Sequence, residues 1–128
     1  MNNCVFCQIV EGKASCHKVY EDENYFAFLD NRPLSPGNVL LISKKHYRFV
    51  YDVPDFGGYW ETAKKVGKAV QSTMNAESIN FLTIGEEVPH AHIRIIPRYG
   101  NDLPFQLFPK HIPDNEMKAI AERIKSTL

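Results

Sequence analysis

Glu87-Val88-Pro89-His90-Ala91-His92-Ile93-Arg94-Ile95-Ile96-Pro97 is the stretch that decides the fold. From His90 to Ile95 polar side chains alternate with apolar ones, a period of two that belongs to a β-strand. The alternation puts His90, His92 and Arg94 on one face and sends Ala91, Ile93 and Ile95 into a core. Same-face neighbours on a strand lie about 7 Å apart, so the three basic groups can converge on one small anion or metal ion. On a helix the same spacing would splay them around the axis. Pro89 and Pro97 bracket the expected strand, holding its ends and leaving its interior donors free for pairing.

Working outward, residues 79–84 read as a strand antiparallel to this one, joined to it by Gly85-Glu86-Glu87. Before it, Tyr59, Trp60, Ala63, Val66, Val70 and Met74 recur at helical spacing over residues 56–74, with Asp55 as cap and Gly57-Gly58 weakening the first turn. Residues 18–21 and 24–29 form a hairpin across Asp22-Glu23, and 37–43 form a third strand. Beyond Gly100 comes a Pro- and aromatic-rich tail, 103–109, and then an amphipathic helix starting near Pro113-Asp114. These elements predict an α+β domain: a five-stranded, mainly antiparallel sheet, one long helix packed on it and a C-terminal helix.

A chain of 128 residues is the size of one domain with one core. Fifteen Lys and Arg balance fifteen Asp and Glu, which argues against a nucleic-acid or membrane surface driven by bulk charge. The first residues lack a basic and apolar leader and no run approaches a membrane span, so a cytoplasmic protein is expected. Three cysteines do not make a disulfide scaffold. Cys4-x-x-Cys7 has three readings: half of a structural zinc site, a redox pair, or two small buried hydrophobes. Cys16 and His17 read as surface residues rather than ligands.

The alternating stretch resembles the signature of the histidine triad (HIT) proteins, H-x-H-x-H followed by two apolar residues. Cys4-Val-Phe-Cys7-Gln-Ile, Val19-Tyr-Glu-Asp, Phe26-Ala-Phe-Leu-Asp30, Pro36-Gly37-x-Val39-Leu40-x-Ile42-x-Lys44-Lys45-His46 and Ile95-Ile96-Pro97-Arg98 follow the family's order. The likeness covers residues 4–100, assigned as a HIT domain over 1–100 with 101–128 as a tail and helix packed on it. Three departures stand out. Arg94 replaces the third histidine, Asn38 replaces a histidine that supports the triad, and the turn before Val88 is short and acidic.

The resemblance implies nucleotide chemistry at an α-phosphate. It makes His92 the nucleophile of a nucleotidyl-histidine intermediate, with His90 and Arg94 beside it. It sets Phe6 and Ile9 against a purine base, although both residues could simply pack the core, and it sets Asp30 on the ribose hydroxyls and Gly85 and Glu87 in the segment whose backbone holds the phosphate. Asp30-Asn31-Arg32-Pro33 is also turn chemistry in its own right. Asn38 is expected to accept a hydrogen bond from Arg94 as a paired replacement for a His-His contact. Cys4, Cys7, His46 and His90 complete a Cys2His2 set for structural Zn2+. The implied assembly is a homodimer sharing a ten-stranded sheet. The implied activity is hydrolysis of a purine nucleotide conjugate, a phosphoramidate or a dinucleoside polyphosphate. Arg94 and Asn38 also admit a degenerate HIT protein that binds nucleotide without turning it over. A redox protein built on Cys4-x-x-Cys7 is a third reading, but no thioredoxin-like βαβ context follows the pair.

Overall fold

The computed structural model describes residues 3–100 and 108–128. A short helix, α1 (Val5–Val10), leads into β1 (Lys18–Glu21), β2 (Tyr25–Leu29) and β3 (Val39–Ser43). After a single 3-10 turn come α2 (Phe56–Met74), β4 (Ser78–Leu82), β5 (His92–Arg98) and α3 (Asp114–Lys125). The five strands form one sheet in the order β1-β2-β3-β5-β4, antiparallel at every pairing. The α+β architecture with its five strands, long helix and C-terminal helix is the one expected. The tail residues 103–107 lie outside the described residues.

Local chemistry explains the ends of α2. The Asp55 carboxylate accepts a hydrogen bond from the Gly58 amide at 3.0 Å, a side-chain cap on the first turn. A Cβ on Gly58 would fall against that carboxylate, so the glycine that weakens the helix also admits its cap. At the other end Asn75 takes a left-handed conformation, φ 53°, which stops the helix. Tyr59, Ala63, Val66 and Val70 bury one stripe of α2 against Ala27, Leu41, Ile93 and Ile95. The Tyr59 hydroxyl donates to the Leu41 carbonyl at 2.8 Å, satisfying the one polar atom that this ring brings inside. Met117, Ile120, Ala121 and Ile124 of α3 join the same core.

The opposite face of the sheet carries a smaller apolar cluster. Phe26, Phe28, Leu40 and Ile42 pack under Phe6 and Ile9 of α1. Pairing of Leu40 with Arg94 and of Ile42 with His92 sets those two side chains on this second face. Ala91, Ile93 and Ile95 point into the α2 side, as the period of two requires.

The strand itself starts and ends later than its sequence suggests. His90 stands before β5, because its ring rather than its backbone meets the end of β3, Nε2 donating to the Ser43 carbonyl at 2.7 Å. Pro97 lies inside β5, paired with Ile79 of β4 but beyond the last β3 pair, Val39 with Ile95. A proline is tolerated where the ladder is flanked on one side only. No helix among the described residues is long and apolar enough to cross a membrane.

Candidate functional site

Two constellations meet at the start of β5. The first is the cluster Cys4, Cys7, His46 and His90, whose ligand atoms all lie within 4.8 Å of one another. Cys4 caps α1 and Cys7 lies on it, His46 follows β3, and His90 precedes β5. Cys4 Sγ is 3.2 Å from His90 Nδ1, and Cys7 Sγ is 3.3 Å from His46 Nδ1 and 3.5 Å from His90 Nδ1. Bond lengths of about 2.3 Å to sulfur and 2.0–2.1 Å to nitrogen at tetrahedral angles put S and N roughly 3.5 Å apart, so the donors fit a four-coordinate metal ion.

The protonation states suit it too. The Ser43 carbonyl can only accept, so His90 carries its proton on Nε2 and turns a bare Nδ1 to the cysteines. Burial pushes the His90 imidazole down to about 4, which keeps it neutral. Burial and then the Cys4 neighbour push the Cys7 thiol up to about 11. A divalent cation reverses that preference by taking the thiolate as ligand.

The second constellation lies along β5. His92 is 1% exposed, with the edge of Phe6 against it at a 5.6 Å ring separation. Its Nδ1 donates to the His90 carbonyl at 2.8 Å, which leaves the lone pair on Nε2. Burial holds its pKa below the ordinary histidine value, and the Arg94 charge adds to that, so the ring is neutral at neutral pH. Thr83 Oγ1 donates to the His92 carbonyl at 2.8 Å and fixes the backbone there.

Arg94 does not pair with Asn38. Its Nη1 donates to Asp30 Oδ2 at 2.8 Å and its Nη2 to Glu87 Oε1 at 3.0 Å. Two carboxylates outbid one neutral amide for a guanidinium. The Asn38 amide instead serves the backbone: Oδ1 accepts from Leu34 N–H at 3.0 Å, and Nδ2 donates to the Ile95 carbonyl at 3.2 Å. Asp30 is held on its other side by the Arg32 amide, 2.9 Å from Oδ1.

Phe6, Ile9, Asp30, Glu87 and Arg94 line one cleft of about 750 Å³. Asn38, Gly85, His90 and His92 are not among its lining residues. Gly85 lies instead against Phe49, whose ring occupies the place a Cβ would take, and its carbonyl accepts from Arg48 Nη2 at 3.4 Å. Cys16 and His17, expected at the surface, form part of the cleft wall and are partly buried. They stand apart from the metal-ligand cluster. His17 Nε2 meets Asp114 Oδ1 at 2.8 Å, tying the link after α1 to the start of α3. No local pattern announces a contact across 97 residues.

The sequence profile described as the HIT domain matches residues 11–101. "Protein hit" of Bacillus subtilis is 34% identical over 140 residues, spanning 98% of this chain and 97% of that protein. The adenosine 5'-monophosphoramidase hnt1 of Schizosaccharomyces pombe is 33% identical over 133 residues, spanning 98% of each. Among solved structures, a zinc-bound histidine triad family protein from Mycobacterium smegmatis matches with a TM-score of 0.85 at 28% identity, covering 98% of this chain and 93% of that one.

Proposed function

The chain belongs to the HIT domain family, and on that premise we propose that it hydrolyses a purine nucleotide conjugate at the α-phosphate through a nucleotidyl-histidine intermediate on His92. The observation that carries this reading is the His92 ring: neutral, fixed in one tautomer by the His90 carbonyl, and next along its face to the Arg94 guanidinium. The Nε2 lone pair forms the N–P bond as the bond from phosphorus to the amine or phosphate leaving group breaks. Water then attacks phosphorus, releasing the nucleotide and regenerating the imidazole. Arg94 offers charge to the equatorial oxygens but keeps its protons at any working pH. The leaving group therefore takes its proton from solvent or departs without one.

The cleft supplies the binding side of this reading. Phe6 and Ile9 present apolar surface for a purine. The Asp30 oxygens keep lone pairs for ribose hydroxyls beside their existing bonds. Glu87, on the turn that Gly85 begins, would stand beside the phosphate through its bond to Arg94, and Asn38 braces β5 through the Ile95 carbonyl. Zn2+ is the ion assigned to Cys4, Cys7, His46 and His90, where it would join α1 to the approach of β5; a closed four-ligand set suits a structural role. We assign the protein to the cytoplasm, where thiol ligands stay reduced, and to a homodimer formed through α2 and β4.

A second reading, nucleotide binding without turnover, is favoured by two observations. His92 is almost wholly buried, and Arg94 already has two carboxylate partners. Incubation with a fluorogenic adenosine phosphoramidate separates the two. Release by the wild type that is lost in His92→Asn supports hydrolysis; nucleotide binding with no release by the wild type supports the second reading.

A further inference from the structure

The two carboxylates on Arg94 are not equivalent. Asp30 has 8% of its side chain exposed and also accepts the Arg32 amide, so it is a fixed anchor. Glu87 has 72% exposed, and Arg94 Nη2 is its one polar contact among the described residues. The carboxylates use different guanidinium nitrogens, so one bond can break while the other persists. The turn behind Glu87 is held at Gly85 by the Arg48 guanidinium and the Phe49 ring, so displacement needs a side-chain rotation and no movement of the backbone.

Charge gives this asymmetry a direction. The cleft is lined by three carboxylates, Asp30, Glu87 and Asp114, against two guanidiniums, Arg32 and Arg94, with His17 as the remaining ionisable base. A phosphate entering such a cleft is repelled by the carboxylates, and the guanidinium that follows His92 on the same face of β5, Arg94, already holds two of them. An exposed ion pair is worth only about 0–1 kcal/mol, whereas phosphate on guanidinium forms paired, charge-assisted bonds.

We propose that Glu87 is a built-in competitor of the ligand: it occupies on Arg94 Nη2 the place of a phosphate oxygen and is exchanged for that oxygen when a phosphorylated ligand binds. The inference rests on the nucleotide reading of this cleft and adds the residue that sets its threshold. Ligands that bring an anionic phosphate oxygen to Arg94 displace Glu87, and an uncharged nucleoside does not.

Calorimetric titration with AMP, and separately with inorganic phosphate, tests it on wild type, Glu87→Gln, Arg94→Gln and the double variant. Glu87→Gln is expected to tighten AMP and phosphate binding about three- to tenfold in the wild-type background. In the Arg94→Gln background it is expected to change neither. Glu86→Gln removes an exposed charge from the same turn without touching Arg94 and is expected to leave both affinities unchanged. Weaker binding in Glu87→Gln would make Glu87 a direct ligand contact and overturn the proposal. Equal tightening in Glu86→Gln, or persistence in the Arg94→Gln background, would reduce the effect to bulk charge and overturn it too. Failure of AMP and phosphate to bind any variant overturns both this inference and the nucleotide reading. Tightening without turnover of a phosphoramidate leaves this inference standing and removes only hydrolysis.

Discussion

Arg94 stands where a titratable histidine would, and its permanent charge rearranges its neighbours. The guanidinium reaches Asp30, the carboxylate that ends β2, across 64 residues. Removing it would leave Asp30 in a nearly buried site with a single amide donor. Arg94→Gln is therefore expected to lower unfolding free energy by about 1–3 kcal/mol, read from urea denaturation. Adding Asp30→Asn should recover part of that loss, because the stranded charge disappears. No recovery would mean that the cost lies in packing. The period of two put His90, His92 and Arg94 on one face from sequence alone. What Arg94 touches was not legible, because strand alternation fixes direction and says nothing of which carboxylate a distant turn delivers. The same holds for Asn38, whose amide is taken up by the backbone of its own turn at Leu34 and of β5 at Ile95.

At the scale of elements, α2 could be bounded because its apolar period, its Asp55 cap and its end all agree. β5 could not, since His90 leaves the ladder through its ring, a choice of side-chain hydrogen bond that alternation cannot encode. The Cys4, Cys7, His46 and His90 cluster, which could hold a metal ion, draws α1, the segment after β3 and the approach to β5 together with four side chains. Chelation at neutral pH is expected to lower the thermal midpoint and to release close to one zinc per chain, with folding weakened by several kcal/mol. Cys7→Ser should reproduce the loss of metal. An unchanged midpoint on chelation would count against a structural ion. The β1–β2 turn gives a different test. Asp22 Oδ1 accepts the Asn24 and Tyr25 amides, both at 2.8 Å, and Oδ2 accepts the Tyr20 hydroxyl at 2.7 Å. Burial raises the Asp22 pKa, but these three bonds outweigh it and hold the carboxyl below its usual range. A depressed folded pKa adds stability that is present above about pH 4 and lost as pH falls through the lowered value. Asp22→Ala should cost about 1–3 kcal/mol at neutral pH and flatten the acid limb of the stability curve. A limb of unchanged slope would show that the carboxylate does not carry it.

At the scale of the whole molecule, one sheet edge is unfinished. β4 ends the strand order, and Phe56, Trp60 and Phe81 form a contiguous aromatic patch beside it, with Phe56 48% and Phe81 42% exposed. Trp60 Nε1 is buried without a hydrogen-bond partner among the described residues. A second copy laid along α2 and β4 would cover this patch. Phe81→Glu is expected to halve the mass seen by sedimentation, and a wild type that already sediments as a monomer would contradict the dimer. The fold as a whole was legible because helix and strand periods agree along most of the described chain. The far wall of the cleft, where His17 meets Asp114, was not, because it exists only once α3 has packed.

If His92 carries the nucleotide in a covalent bond to phosphorus, as proposed, rapid acid-free quenching of wild-type protein mixed with adenosine phosphoramidate labelled at phosphorus captures that bond. We expect transient label on one peptide, mapped to His92 and absent in His92→Asn. Product formation with no protein-bound label at any time, or label on another residue, would contradict it.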